Sequence, residues 1–536
     1  MNYIIGSGPA GIAAAVGLVK HGAEVTMIDP GLELEPERAE IVQKLRAQSH
    51  HDWDRSSVAV LQENMTPHAG GVDFKSVYGS DYPYRGMDQI QPVAATNAKM
   101  IRSLARGGLA NVWGASILPF RQEDIMDWPI TISDLDPHYR AVLDFMTLAG
   151  HRDTLTDFLP LYQDTCQPFH FCRQIDGFID DLKTNQQTLQ ANHIYYGASR
   201  LAAHFEKNTK NPGCAYCGLC LYGCPYGVIY STESTFGWLT AQNNFHYLNG
   251  IVVDQLINEN NAVTIHGISL AESRKLTLTA SRVFLAAGLL SSTRILLQSL
   301  KAFDRPLQIN HSEHFQIPLL RFRKTANPGS EELHTLTQLY MEIFDNAISS
   351  NTVHLQVYAY NDLYQKVMAR MFGPFAGLLK VPIDSFLGRL LIIKGYLHSN
   401  ISSSIQVRLE KGDNSRLLLT GKNNPQADAA VKQVVAKLRH NRKYLHAVPL
   451  PGMTKIGLPG TGNHSGGSFP MQENPGPFSA DTLGRPHGLD NVHVVDSTVL
   501  PSIPATTITL TIMANAHRIV TSCLNPDDST VKGEES

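Results

Sequence analysis

The chain is short of charge and nearly balanced in sign. Charged residues make up 17% of its 536 residues, with 45 Lys and Arg against 48 Asp and Glu. That leaves no basic stripe for a nucleic acid and no charge excess of the disordered kind. No run reaches the roughly 18 consecutive apolar residues of a transmembrane helix. A strand is expected from Asn2 onward, which leaves no room for a secretory signal. The expectation is a cytoplasmic protein without a nucleic-acid partner. Cysteine is also scarce, seven in all, yet four crowd between 214 and 224. Clustering without a secretion signal argues for a metal site over a disulfide scaffold.

What is present supports a large core. At 43% hydrophobic, the chain has room for two domains or one elaborated domain. The least polar region runs from Met371 to Tyr396. Lys380, Asp384, Arg389 and Lys394 interrupt it, and Pro374 and Pro382 are expected to break a helix. Two readings stay open there: buried helices around a substrate pocket, or a segment in peripheral contact with a membrane or an apolar partner.

The chain opens as strand, glycine loop, helix and strand. Gly6-Ser7-Gly8-Pro9-Ala10-Gly11 follows the strand Asn2 to Ile5, a helix runs from Pro9 to His21, and the strand Glu24 to Ile28 ends at Asp29. This spacing is that of a dinucleotide site. Gly6 permits the tight turn, Gly8 lets backbone approach a pyrophosphate, and Gly11 lets helix pack on strand. The helix N-terminus faces the phosphates, and Asp29 can accept from ribose hydroxyls. The loop alone fits NAD or FAD. Later, Ser281 to Gly288 is a strand running into a small-residue turn, and Leu289 to Leu300 continues as a helix. Near the end, Val492 to Val495 is a strand closing on Asp496, followed by a long apolar helix from about Thr507. Asp428 to His440 reads as a helix, and Leu319 to Phe322, Thr352 to Tyr358 and Ser404 to Leu409 as strands. Residues 31–65 read as polar and mostly helical, and the tail after Asn525 as frayed.

Taken in order, these pieces resemble the glucose-methanol-choline (GMC) oxidoreductase family. The resemblance is carried by the N-terminal loop, by Arg106-Gly107-Gly108-Leu109-Ala110-Asn111-Val112-Trp113-Gly114 and by Asp127-Trp128-Pro129-Ile130. Further pieces are Leu285 to Gly288, His464-Ser465-Gly466-Gly467-Ser468 with Met471, and Val495-Asp496 through Met513. The Trp128-Pro129 stretch looks most like the bacterial branch of sugar and sugar-acid dehydrogenases. The resemblance implies an α/β fold: a Rossmann-like FAD-binding domain with an inserted α+β substrate domain. The expected division is FAD-binding segments at 1–125, 206–305 and 449–525, a substrate or cap segment at 126–205, a substrate domain at 306–448, and a tail at 526–536. The implied cofactor is FAD, held by Gly6, Gly8, Gly11, Asp29, Gly107, Gly108, Asn111, Val253, Ala287, Gly288 and Asp496. The implied base is His464, in the family's H-x-x-G-[S/T]-x-x-M pattern, which accepts a hydroxyl proton as hydride leaves for the flavin. The family carries a second His or Asn after the last Pro motif, and here Thr507 stands there. A threonine hydroxyl orients a substrate oxygen but is no base at neutral pH.

Cys214-x2-Cys217-x2-Cys220-x3-Cys224-Pro225 has the spacing of a bacterial ferredoxin run. Gly213, Gly218 and Gly223 allow a close wrap. An iron–sulfur cluster, a zinc ion and unmetallated thiols all stay open, and a cluster would offer an electron exit to a partner protein or quinone. The leading functional expectation is an FAD-dependent dehydrogenase acting on a sugar, polyol or similar alcohol. The alternatives are a flavin-dependent ketone reductase or redox-neutral isomerase, and a non-catalytic flavin- or metal-binding protein.

Overall fold

A computed structural model describes residues 1–63, 75–208, 212–412 and 415–524. The expected frayed tail, and the last two residues of the stretch 31–65, lie outside the described residues. A five-stranded parallel sheet forms the nucleotide-binding half, in the order Val492–Val494, Arg282–Leu285, Asn2–Ile5, Val25–Ile28, Phe245–Leu248. Ile5 lies in register with both Ile28 and Leu285, Leu285 with Val494, and Ile28 with Leu248. Parallel pairing therefore brings segments nearly 490 residues apart to finish along one edge. Ligands of open α/β sheets bind outside that carboxyl edge.

The helix Pro9–Lys20 follows the first strand, with Pro at its first position, where a missing N–H costs nothing. It packs against the C-terminal helix Thr509–Leu524, which starts two residues later than the sequence suggests. The approach is close: a Cβ on Gly17 would come 2.7 Å from Val520 Cγ2.

The second half is built on an antiparallel sheet of seven strands. Its main path is Ala447–Pro449, Glu313–Arg321, Leu390–Leu397, Val353–Tyr358, Leu339–Ile343, Ile194–Ala198, and Lys455–Ile456 pairs at the side of Glu313–Arg321. One face is apolar. Ile317, Ile393, Leu355, Val357 and Met341 pack there against the helices Arg173–Thr184 and Pro425–His440. Gly395 makes room for Phe315, since a Cβ would meet that ring at 2.1 Å. Side chains alternate along a strand, so the other face carries His314, Gln316, Tyr340, Glu342, His354, Gln356, Tyr358, Lys394 and Tyr396. A smaller sheet joins Val93–Thr96 to Leu417–Lys422, Ser404–Leu409, Leu307–His311 and Ser465–Gly466.

The region 371–396 corrects one expectation. It is not a set of buried helices. Asp362–Phe372 and Lys380–Leu387 form a helical hairpin whose turn stands exposed, and Leu390–Leu397 is a buried strand of the seven-stranded sheet. Pro374 follows the end of the first helix, as expected. Pro382 breaks nothing, because it lies in the first turn of the second helix, where N–H groups have no intrahelical acceptor. Among the described residues no helix is long and apolar enough to cross a membrane.

Candidate functional site

The glycine loop sits at the carboxyl edge of the parallel sheet. Gly6 has φ +104°, and a Cβ there would strike Ala286 O at 2.4 Å. A Cβ on Gly11 would stand 1.9 Å from Gly6 O. Over Gly8 the space is open, with nothing within 4 Å of a Cβ. Two glycines are thus required by the protein's own packing, and the third leaves a free approach at a helix N-terminus. Ser7 ties the loop together: its hydroxyl donates to Asp29 and accepts from Gly107 N at 2.9 Å. Tyr247 OH also donates to Asp29, at 3.2 Å. Burial pushes the Asp29 carboxyl up to about 7 against these hydrogen bonds.

Gly107 and Gly108, both with positive φ, lay the next loop across the first, and a Cβ on Gly108 would be 3.5 Å from Gly8 Cα. Asn111 holds that turn by donating to the carbonyls of Arg106 and Gly108, each at 2.8 Å. Val253 is buried at an irregularity in its strand, two residues from Ile251, whose N–H donates to Asp29 O at 3.1 Å. Ala287 and Gly288 open the helix Leu289–Ser299. The Asp496 carboxylate is engaged by the protein itself. It accepts from Gly288 N at 2.9 Å, Ser292 Oγ at 2.5 Å and Thr498 N at 2.9 Å. Its side chain therefore fixes the turns at this edge of the sheet.

His464 lies where this edge meets the polar face of the seven-stranded sheet. Its segment runs beside the one following Asp496: Gly467 N, Phe469 N and Met471 N donate to the carbonyls of Ser497, Thr498 and Val499. Its ring stacks on Tyr396, centroids 4.7 Å apart. Nδ1 is buried without a protein partner among the described residues. Burial, with a smaller push from His354, holds the imidazole down to about 3. His464 is therefore neutral near pH 7, the form that accepts a proton. Thr506 and Thr507 are buried, and their hydroxyl oxygens also lack protein partners among the described residues. Buried polar atoms are nearly always paired, so each of these orphans is a place where a bound group can supply the partner.

The polar face of the sheet is organised. His354 Nδ1 lies 2.7 Å from Glu342 Oε1, with both side chains fully buried. Gln356 Nε2 stands 3.2 Å from His354 Nε2, and Tyr358 OH donates to Gln356 Oε1 at 2.9 Å. His314, Tyr358, Lys394 and His464 each keep part of their surface accessible, so a void is left over this face.

The cysteine loop adjoins this void. Gly213, Gly218 and Gly223 all have positive φ, as the wrap requires. Tyr216 N donates to Cys214 Sγ and Thr335 N to Cys220 Sγ, each at 3.4 Å. Burial pushes the thiols of Cys214, Cys217 and Cys224 up, and Cys220 acts on each of them electrostatically. Among the described residues no three of these sulfurs lie within 4.8 Å of one another. Four thiolates on one zinc, bonded at ~2.3 Å, stand closer, about 3.8 Å apart. Lys75 lies within electrostatic reach of both Cys220 and Cys224, and donates to Trp113 O at 3.2 Å. Trp113 in turn donates to Tyr230 O at 2.7 Å.

A glycine-cradled parallel sheet joined to an antiparallel sheet with a polar face, with a neutral histidine between them, defines an α/β fold of the dinucleotide-binding type. Residues 160–307 match the N-terminal and residues 414–516 the C-terminal family model of GMC oxidoreductase. The chain belongs to the GMC oxidoreductase family, an FAD-dependent class. Among solved structures it is similar to pyridoxine 4-oxidase from Mesorbium loti, with TM-score 0.58 and 16% identity over 98% of this chain and 99% of that one. It is also similar to the R554A variant of Aspergillus oryzae formate oxidase, with TM-score 0.61 and 12% identity over 98% of each chain. No curated protein matches the sequence.

The structure brings Gly6, Gly8, Gly11, Asp29, Gly107, Gly108, Asn111, Gly288 and Asp496 to one sheet edge, with His464 and Thr507 on segments fastened to it. Sequence reasoning missed Glu342, His354, Gln356, Tyr358, Lys394 and Tyr396. The available signal was the polar residue at every second position of Val353–Tyr358, in a strand otherwise wholly apolar.

Proposed function

We propose that this protein oxidises a hydroxyl group of a polar small molecule to a carbonyl, with His464 as the proton acceptor. The observation that carries this reading is a neutral His464, stacked on Tyr396 and facing a polar void beside the dinucleotide edge. A bound FAD would supply the two-electron acceptor for the hydride of the alcohol carbon. The fit to FAD rests on the open approach over Gly8, the glycines of both loops and the unpaired hydroxyls of Thr506 and Thr507. His464 takes the hydroxyl proton, Thr507 Oγ1 orients the same oxygen, and Tyr396 fixes the imidazole plane. Tyr358 and Lys394 are the accessible polar groups on this face that would meet a sugar or polyol, and the buried row Glu342, His354 and Gln356 holds Tyr358 in place.

Cys214, Cys217, Cys220 and Cys224 are the residues that would hold an iron–sulfur cluster, which supplies one-electron transfer to a partner protein or quinone. Support comes from the ferredoxin-like spacing and the backbone N–H to sulfur hydrogen bonds. Threonine in place of a second base favours one further reading, carbonyl reduction or redox-neutral isomerisation through a transient ketone.

Anaerobic purification with absorbance spectroscopy and iron and zinc analysis tests the cofactors. The expected result is bound FAD with iron in excess of zinc. Polyols and sugar acids then bleach the flavin anaerobically. Steady turnover with no electron acceptor present would instead select the isomerase reading, and a flavin that no alcohol reduces would exclude oxidation.

A further inference from the structure

We propose that the void beside His464 contains an anion subsite built on Lys394, so that the substrate carries a carboxylate or phosphate as well as the reacting hydroxyl. This rests on the reading of His464 as the base and names the substrate class for it. Lys394 projects from the strand Leu390–Leu397 on the polar face. Its cross-strand neighbours are Gln316 on one side and Gln356 on the other, and its ammonium lies 4.9 Å from the centroid of the Tyr358 ring. His314 and Lys75 are within electrostatic reach, and both are cationic or neutral groups. Among the described residues no carboxylate pairs with Lys394. Glu342, the acid on the same face, is committed to His354. Burial depresses the lysine, as expected of an ammonium without a counter-ion. A buried charge is ordinarily paired, and Lys75 has thiols beside it where Lys394 has none. Lys394 also keeps part of its surface accessible on this polar face. The missing partner is therefore supplied by the ligand. Tyr396, on which His464 stacks, is two residues along the same strand, about 7 Å away. The acid group and the oxidised hydroxyl are thus separated by only a few bonds, as in a hydroxy acid or a small sugar phosphate.

The test uses FAD-loaded protein, with gluconate, glycerol 3-phosphate and neutral glycerol as probes, read as flavin difference spectra without turnover. Gluconate or glycerol 3-phosphate should perturb the flavin, and whichever binds identifies carboxylate or phosphate as the group. Lys394→Met should weaken that affinity at least tenfold and leave glycerol unchanged, and Lys394→Arg should restore much of it. Equal affinity in wild type and Lys394→Met overturns the subsite, as does the absence of any response to either anion. A shifted flavin midpoint potential in Lys394→Met, with anion affinity unchanged, assigns the charge to the reduced cofactor and also overturns it. Anion binding without flavin reduction by any alcohol leaves the subsite standing and removes the oxidation reading.

A second inference has an independent basis. We infer that the turn of the hairpin 362–387 docks on a bilayer surface containing anionic lipid. Met371, Phe375, Leu378 and Val381 are 58%, 64%, 83% and 76% exposed, and Phe372 stands beside them. From 363 to 383 the sequence holds no Asp or Glu, while Arg370 and Lys380 are exposed near the turn and Lys366 pairs with Asp362 at the base, at 3.2 Å. Apolar side chains ringed by basic ones are the pattern of an interfacial segment. The base is fixed to the body by buried Leu363 and by Tyr222 OH donating to Asp362 at 2.7 Å. Co-sedimentation with phosphatidylcholine vesicles, with and without phosphatidylglycerol, tests it. Binding should require the anionic lipid, fall with salt, and be lost in Leu378→Asp/Val381→Asp with FAD content unchanged. Failure to bind anionic vesicles overturns it. So does a dimer that the double variant converts to monomer without any vesicle binding, since the patch is then a protein interface.

Discussion

Past the strand ends of the parallel sheet the chain offers glycines and backbone amides; across the void, the antiparallel sheet offers side chains. On the first side, Gly6 and Gly11 are demanded by contacts with Ala286 and Gly6 carbonyls, and Asp29 and Asp496 are spent on tying loops to one another. On the second side, Glu342, His354 and Gln356 form a buried hydrogen-bonded row on rigid strands, and Tyr358 and Lys394 beside them keep accessible surface. A site made of backbone accepts few substitutions and binds one kind of group. A site made of alternate side chains on a fixed sheet can change its ligand by changing residues, with the fold left intact. The cofactor is thus legible from the family, whereas the substrate must be read from this chain's own residues.

The largest expected effect breaks the backbone side. Gly11→Ala places a methyl group 1.9 Å from Gly6 O, which no rotamer relieves. It should purify without flavin, or fail to accumulate. Gly8→Ala, where the space is open, should fold with an unchanged melting temperature and bind FAD more weakly. Equal flavin content in the two variants would contradict the division between packing glycine and approach glycine. Next is His464→Ala. Loss of a general base typically costs about 10²–10⁴ in rate, so single-turnover flavin reduction should fall by that order, with FAD content and melting temperature retained.

The backbone side was readable from the sequence because its signals are local. Gly6 to Gly11 and Asp29 lie within two dozen residues, and each has a stereochemical requirement that only a few residue types meet. His464 was readable through its pattern with Met471. The side-chain half was not. His354 acquires meaning only opposite Glu342, and Lys394 only beside Gln316 and Gln356. Those registers are set by long-range antiparallel pairing, which no window of sequence contains. The stretch from Met371 to Tyr396 was misread for a related reason. Its composition is the least polar in the chain on both sides of Gly388, but the hairpin turn lies before that glycine and the buried strand after it, and composition does not report that change of environment.

The third expected effect falls on stability. Glu342 and His354 form a fully buried pair, and removing one partner of such a pair costs about 3–5 kcal/mol. Glu342→Leu should lower the denaturation midpoint clearly, and adding His354→Phe should recover part of the loss, since two apolar residues leave no uncompensated charge. A double variant less stable than the single would show the pair contributing net stabilisation beyond its burial cost.

The smallest effect is one of pH, and it sets two residues of the void against each other. His464 acts as base in its neutral form. Burial lowers its pKa from 6.5 to about 3, so the competent form is present above that value and is lost only as pH falls through it. Flavin reduction by a neutral alcohol at limiting concentration should then be level from about pH 4.5 to 8. An acid limb near 6.5 would mean that His464 titrates as an exposed histidine does. Lys394 acts in its charged form, and burial lowers it below 10.5. Its contribution is complete at low pH and disappears as pH rises through the lowered value. With an anionic substrate the same measurement should acquire an alkaline limb below 10.5, and with the neutral alcohol it should not. The limb should vanish in Lys394→Met and shift upward in Lys394→Arg, whose guanidinium stays charged. An alkaline limb shared by both substrates would place the titrating group on the enzyme's common machinery, and the difference between the two sheets would then not extend to substrate charge.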